Sequence, residues 1–369
     1  MAQPDQDRPL VIIGAGGTGG HMFPAAAFAE EMSRRGWQVG LISDVRGLRY
    51  GKNFPAEWKE EVQAASPNLR KPWTLPGTAF KLWRGAQNAS KIIKEKKPRL
   101  VAGFGGYPAF PLMSAARRAG IPIVIHEQNA VLGRVNRQFA KSAKVVASGF
   151  DRLDRLPESV THHAVGNPVR SPIAERRDAD YPDHSDPIRL FVTGGSQGAR
   201  ILGEAFPKAI TEHLPAELRQ NLLIVQQVRE EQIETVGKIY DAAGVRAELK
   251  PFFDDMPDQL VAAHYVIARS GAGTVAELAA IGRPSLLVPL AIAMDDHQTA
   301  NAEGLAQREA ADVIPEAAFT PEAIAQLLMH RLSDLDDLKR RAGIAHALGS
   351  ITSASDLADL AEGVALPAA

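Results

Sequence analysis

Three times along this chain a short apolar run breaks into glycines and then into a helical pattern: Gly14-Ala-Gly-Gly-Thr-Gly-Gly20, Gly194-Gly-Ser-Gln-Gly-Ala-Arg200 and Arg269-Ser-Gly-Ala-Gly-Thr-Val-Ala-Glu277. A strand that feeds a helix through glycines lets backbone N–H groups approach an anion at the helix N-terminus. Repeated strand–helix alternation calls for parallel sheets. In the first half, strand-like runs lie at Pro9–Ile13, Val39–Ser43, Leu100–Gly103 and Ile121–His126, with helical stretches at Ala25–Met32 and Phe110–Arg118. The alternation pauses in the polar, proline-bearing stretch Asn167–Pro187 and restarts at Ile188. Leu222–Gln226, Tyr265–Ala268 and Ser285–Val288 then read as further strands. The expected fold is α/β with two doubly wound parallel-sheet domains, residues 1–167 and 168–349, and a ligand in the cleft between them. The helical pattern Ser353–Val364, within residues 350–369, either returns to the first domain or forms a cap of its own.

Composition excludes several classes. A 369-residue chain with 45% hydrophobic residues can bury two cores. A formal net charge of -1, without basic clusters interleaved with the aromatics of an RNA-binding sheet, argues against a nucleic-acid partner. Zero cysteines remove disulfides and thiolate metal sites and suit a reducing compartment. The beginning, MAQPDQDRP, lacks the basic n-region and long apolar h-region expected of a signal peptide, and the apolar stretch Ser285–Met294 is too short to span a bilayer.

Taken singly the loops are ambiguous. Gly14, Gly16 and Gly19 fit G-x-G-x-x-G with Asp44 ending the next strand, so a nicotinamide-dependent oxidoreductase is a natural rival. A second and third glycine loop in the other half exceed what one dinucleotide needs and favour a nucleotide-sugar transferase. Thr274 and Glu277 also read as a capping box, each side chain satisfying a first-turn N–H. Asp295 and Asp296, just before a helical ANAEGLAQ segment, read as N-caps and not as metal ligands.

Between Arg70 and Arg99 lie nine Lys or Arg residues and one acid, Glu95, interleaved with Trp73, Leu75, Phe80, Leu82 and Trp83. With Lys81 and Arg84 this is a candidate face for an anionic membrane. The competing reading is a helix with a solvated basic face and a buried apolar stripe.

The segments GAGGTGGHMFPA, GFGGYP, HEQNAVLGRVNR, GNPVR, TGGSQGAR, ARSGAGTVAELAAIGRP and DDHQTANA occur in that order across nearly the whole chain. Together they resemble the MurG family of glycosyltransferases. The resemblance implies a GT-B fold and an inverting transfer of GlcNAc from UDP-GlcNAc to the C4 hydroxyl of the muramyl sugar in lipid I, giving lipid II for peptidoglycan. It places such an enzyme at the cytoplasmic face of the cell membrane as a peripheral protein, with cell-wall synthesis proteins as candidate partners. It implies no obligatory cofactor and leaves room for a divalent cation. A nonhydrolysing UDP-GlcNAc 2-epimerase and a catalytically dead nucleotide-sugar sensor would share the architecture.

The resemblance also carries roles. The C-terminal domain holds the nucleotide, with Phe253 beside uracil and Glu277 on the ribose hydroxyls. Ser196 and the helix behind it face the diphosphate, and Arg170 supplies charge nearby. Gln298, Asn129 and the loop Ala272, Gly273 and Thr274 meet GlcNAc, and Val275, Ala276 and Leu278 belong to the same donor-binding stretch. Thr18, Gly19 and Gly20 line the first loop. His21, able to take a proton near neutral pH, is the candidate base, with Glu127 as the alternative. Two departures stand out: His297-Gln298-Thr299 replaces a pair of glutamines, and Gly203 stands where the family often has asparagine, so neither His297 nor Gly203 receives a role.

Overall fold

A computed structural model describes residues 8–50, 53–66, 71–183, 187–195, 198–290 and 296–365. The chain forms two compact units, one reaching to Arg170 and completed by the segment from Thr352, the other running from Ser171 to Ile351.

The first unit is a parallel sheet of seven strands: β1 (Leu10–Gly14), β2 (Gln38–Ser43), β3 (Trp58–Glu61), β4 (Leu100–Gly103), β5 (Ile123–Glu127), β6 (Val145–Ser148) and β7 (His163–Ala164). Their order is β3-β2-β1-β4-β5-β6-β7. The second has β8 (Ile188–Thr193), β9 (Leu222–Gln227), β10 (Arg246–Lys250), β11 (Tyr265–Ala268), β12 (Ser285–Leu287) and β13 (Ala311–Val313), in the order β10-β9-β8-β11-β12-β13. Every strand pairing among the described residues is parallel, so each crossover lays a helix on a sheet face, and the central strands are buried on both sides. In both sheets the strand order reverses beside the first strand, between β1 and β4 and between β8 and β11. Loops leaving the carboxyl ends of those strands are where such folds bind ligands.

Two apolar clusters flank the first sheet. One contains Ile13, Phe28, Met32, Trp37 and Phe104, and the other Ile12, Val101, Leu112, Met113 and Phe139. The helix Ser353–Ala365 belongs to the first cluster through Leu357, Ala358 and Ala361. It is latched by Arg35, which donates to Asp359 and Glu362 at 2.6 Å each, and by the Trp37 indole N–H on Glu362 at 2.8 Å. The second unit closes around Leu190, Phe206, Ile224, Tyr240, Ile267 and Leu286.

The first helix begins earlier than its apolar pattern suggests. It spans Gly19–Arg34 with Pro24 inside, so His21 lies in its first turn. Proline lacks the N–H that would reach the carbonyl of residue 20, which masks the helix start in the sequence.

Candidate active site

The first glycine loop is bound from below by Asp44. Its carboxylate accepts from Gly17 N–H at 3.2 Å and Gly47 N–H at 2.8 Å and pairs with Arg46 at 3.0 Å. In the nicotinamide reading this carboxylate would hold a ribose; here its oxygens organise the protein's own loop. A Cβ on Gly16 would meet Ser43 Oγ at 2.7 Å and Pro108 at 2.8 Å, so the loop packs against the segment after β4 at a distance only glycine allows.

His21 sits where these loops meet. A Cβ on Gly105 or Gly106 would lie 3.3 Å from its ring carbons, and both glycines have positive φ, +84° and +73°. Its Nδ1 is 2.8 Å from Gln128 Oε1. Gln128 Nε2 reaches His126 Nδ1 at 3.1 Å and His126 O at 2.9 Å, and His126 Nε2 reaches Gly166 O at 3.0 Å. Burial pushes His126 down to about 4, so it is neutral in the working range.

Glu127, the alternative base, is committed elsewhere. It is buried, and its carboxylate accepts from the Asn129 N–H (3.2 Å) and side-chain amide (3.1 Å), the Gly133 N–H (3.0 Å) and Asn136 Nδ2 (2.8 Å). Four donors on one carboxylate make it the organiser of the loop 128–133 and leave it poorly suited to collect a substrate proton. Asn129 is thereby placed at the mouth of this loop. Asn167 donates to Gln128 O at 2.8 Å and ties the same loop to the start of the connecting segment. Arg170 lies with its guanidinium 4.6 Å from the ring of Phe23, two residues beyond His21. Thr18 is the N-cap of the His21 helix but its hydroxyl accepts no cap bond, while Gly19 is packed against Phe23 and Gly20 is exposed.

In the second unit Gln227 organises the loop after β8. Its Oε1 accepts from Thr193 Oγ1 (2.9 Å) and Gly194 N–H (3.0 Å), and its Nε2 donates to Gly195 O and Pro251 O at 3.1 Å each. A Cβ on Gly194 would stand 2.1 Å from Ala199 N, which is an impossible contact. Ser196 lies outside the described residues. The helix that follows, Arg200–Lys208, has no side-chain cap.

The third loop opens the helix Ala272–Ile281, whose N-cap is Gly271 with no side-chain cap bond. This corrects the capping-box reading: Thr274 is already the third helical residue and Glu277 lies beyond the first turn. Both are half-buried, as are Gly273 and Ala276, whereas Ala272, Val275 and Leu278 pack inward. The uncapped first-turn N–H groups carry the positive end of the helix dipole and suit an anionic ligand. Arg269 behind them is held by Glu316 at 2.8 Å and by Val288 O at 3.1 Å. Gln298 lies in the first turn of His297–Ala306 and accepts from Leu290 N–H at 3.0 Å. Asp296 occupies that helix's N-cap position, but its carboxylate takes the Thr299 hydroxyl (2.8 Å) and no backbone N–H; Asp295 is outside the described residues.

The expected uracil neighbour is sharpened by burial. Phe253 is 2% exposed and packs edge-on against Phe191 at 5.4 Å, while Phe252 beside it is 54% exposed. The Phe253 ring is core in this structure, and Phe252 is the aromatic face presented by that segment.

Residues 75–96 form one helix, preceded by a short turn Pro72–Thr74. Its buried stripe is made of small groups, Thr78, Gly85, Ala86 and Ala89, with Ile93. Trp73 (73% exposed), Phe80 (56%) and Trp83 (56%) stand in solvent with Lys81 and Arg84, and Phe80 stacks on Trp83 at 5.9 Å; Leu75 and Leu82 are half-buried. The buried-stripe reading therefore fails for the aromatics.

Two Rossmann-like units in one chain, each with glycine loops at the reversal of its strand order, define a nucleotide-sugar protein of the GT-B fold. Residues 11–148 match the glycosyltransferase family 28 N-terminal domain and residues 189–360 match the glycosyltransferase family 28 C-terminal domain. A relative from Maricaulis maris (strain MCS10), the UDP-N-acetylglucosamine--N-acetylmuramyl-(pentapeptide) pyrophosphoryl-undecaprenol N-acetylglucosamine transferase, is 51% identical over 96% of this chain and 97% of its own length. The crystal structure of Acinetobacter baumannii MurG superposes with a TM-score of 0.77 and 32% identity, covering 96% of this chain and 99% of that one. A UDP-N-acetylglucosamine 2-epimerase shares the fold at a TM-score of 0.64 and 14% identity, over 95% of each chain. The chain belongs to glycosyltransferase family 28, which sets aside the oxidoreductase reading.

Proposed function

We propose that this protein transfers GlcNAc from UDP-GlcNAc to the C4 hydroxyl of MurNAc in undecaprenyl-diphospho-MurNAc-pentapeptide. The observation that carries this is a half-identical relative of that name matched along nearly its full length. The first unit supplies the base and the second the donor site. His21 Nε2 takes the proton as the C4 oxygen attacks the anomeric carbon; the new C–O bond forms as the bond to UDP breaks, and the electron pair leaves on the diphosphate. The uncapped start of Ala272–Ile281, Ser196 and Arg170 meet that charge. Glu277 takes the ribose, Gln298 and Asn129 take GlcNAc, and the segment of Phe252 and Phe253 takes the base. With helix N-termini and an arginine on the diphosphate, no cofactor is obligatory in this reading. The aromatic–cationic face of residues 73–84 would rest on the anionic cytoplasmic leaflet that presents the acceptor, keeping the protein peripheral; among the described residues no helix is long and apolar enough to cross a membrane.

Transfer of radiolabelled GlcNAc to a short-chain lipid I analogue tests the proposal, with an EDTA arm for metal dependence. Product from the wild type and its near-loss in folded His21→Ala and Glu277→Ala variants are expected. Tight UDP binding with no product, or a C2 epimer from donor alone, would overturn it.

A further inference from the structure

We propose that Gln128 and His126 are positioning residues that hold His21 in its Nδ1–H tautomer and so leave its Nε2 lone pair available to the acceptor hydroxyl. The inference rests on the reading of His21 as the base and goes one layer behind it.

Two backbone carbonyls, which can only accept, fix the direction of these bonds. Gly166 O lies 3.0 Å from His126 Nε2, so that nitrogen carries a proton. The buried, neutral His126 must then present Nδ1 as an acceptor, and Gln128 Nε2 faces it at 3.1 Å. The second carbonyl, His126 O, faces the same Gln128 nitrogen at 2.9 Å. Two independent acceptors therefore demand the NH2 end of the amide on that side, which settles its orientation on chemical grounds. Gln128 Oε1 is left 2.8 Å from His21 Nδ1, and an amide oxygen can only accept. His21 Nδ1 must donate, and in a neutral imidazole the lone pair then resides on Nε2.

The surroundings keep this chain of bonds in register. Asn167 holds the Gln128 carbonyl at 2.8 Å, and Gly166 N–H bonds Ser148 O at 3.2 Å. Gly105 and Gly106 bring backbone against the His21 ring, where a Cβ would crowd it at 3.3 Å and both residues have positive φ. The charged groups on the elements around His21 already have partners: Asp44 pairs with Arg46, Glu127 accepts four donors, and Arg170 covers Phe23. When His21 takes a proton on Nε2, Oε1 continues to accept from Nδ1–H, and an amide, unlike a carboxylate, has no affinity for the proton it orients. A ring without this partner would divide between both tautomers and spend part of its time with Nε2 blocked.

The test uses the full chain labelled with 15N-histidine. Long-range 1H–15N correlation, with His21 assigned by comparison with His21→Ala, should give a pyrrole-type Nδ1 and a pyridine-type Nε2 in the wild type. Gln128→Leu should collapse that distinction and lower kcat on the order of 10- to 100-fold, within the usual contribution of a general base, while KM for UDP-GlcNAc stays within about twofold. A wild-type ring protonated on Nε2 would overturn the proposal without any variant. So would a folded Gln128→Leu protein that keeps wild-type kcat. If instead His21→Ala retains activity, the base reading fails while the tautomer measurement still stands or falls by itself.

Discussion

Replacing Arg283 tests how the donor-side helix is held. This side chain is 1% exposed and has no carboxylate partner among the described residues; it donates to five main-chain carbonyls. They are Leu260 (3.0 Å) and Val261 (2.8 Å) at the end of the helix Met256–Ala262, Ile281 (3.2 Å) and Gly282 (2.9 Å) at the end of Ala272–Ile281, and Asp180 (3.0 Å) in the connecting segment. One guanidinium thus neutralises the negative ends of two helices and pins the chain entering the second unit. Burial lowers it from its ordinary range to about 10, which leaves it charged at neutral pH. Arg283→Met would take a donor from all five acceptors, of which Leu260 O keeps the Ala263 N–H at 3.3 Å. At ~1–3 kcal/mol for each unsatisfied acceptor, reduced because helix-end carbonyls can regain some water, the expected loss is about 3–5 kcal/mol. Arg283→Lys offers three donors to five acceptors and should lose about 2–3 kcal/mol. Urea unfolding followed by circular dichroism reads this directly: with a slope of ~2 kcal/mol per M, Arg283→Met moves the midpoint of the second unit's transition down by roughly 2 M. Both variants falling within about 0.5 kcal/mol of the wild type, the range of ordinary surface changes, would refute the reasoning.

Leu357→Ala, in the fully buried face of the C-terminal helix, should cost about 2–5 kcal/mol of the first unit's stability and appear as a separate, earlier unfolding step in urea. His126, whose folded-state value near 4 lies below its ordinary 6.5, binds fewer protons folded than unfolded. Stability is therefore full above 6.5 and falls as pH drops from 6.5 to 4, by roughly 3 kcal/mol at ~1.4 kcal/mol per pH unit. Urea midpoints across that window should decline in the wild type and flatten in a folded His126→Gln protein; equal slopes would refute the assignment. The double variant Trp83→Ala, Lys81→Glu should sediment less with anionic vesicles while its circular dichroism stays unchanged, and undiminished sedimentation would remove these residues from the membrane face.

The parts of this fold that could be read in the sequence are those with strict local requirements. Gly16 stands where a Cβ would strike Ser43 and Pro108, Gly194 where it would strike the end of its own loop, and β-branched runs such as Leu10–Ile13 sit in sheets buried on both faces. Helix starts were less legible. Pro24 hid one and a half turns before it, and the Thr274–Glu277 spacing imitates a capping box although Gly271 is the cap. Within HEQN the sequence singles out Glu127 and Asn129, yet the residue touching His21 is Gln128. Its orientation depends on His126 and on Gly166, some forty residues away, a relation that no local spacing encodes. Phe252 and Phe253 are the same residue type, and only the tertiary packing of Phe253 on Phe191 distinguishes the buried ring from the exposed one.

The return of the last helix to the first unit has a consequence for how the chain is made. Residues 171–351 are contiguous, so the second unit has all its parts while the first still lacks Leu357, Ala358 and Ala361. A protein emerging from the ribosome usually finishes its N-terminal domain first. Here the order is inverted. The earliest-made sheet must wait, with the flank beside Phe28 and Met32 uncovered, until the closing helix has been synthesised, and that interval is when the nascent chain most needs shielding.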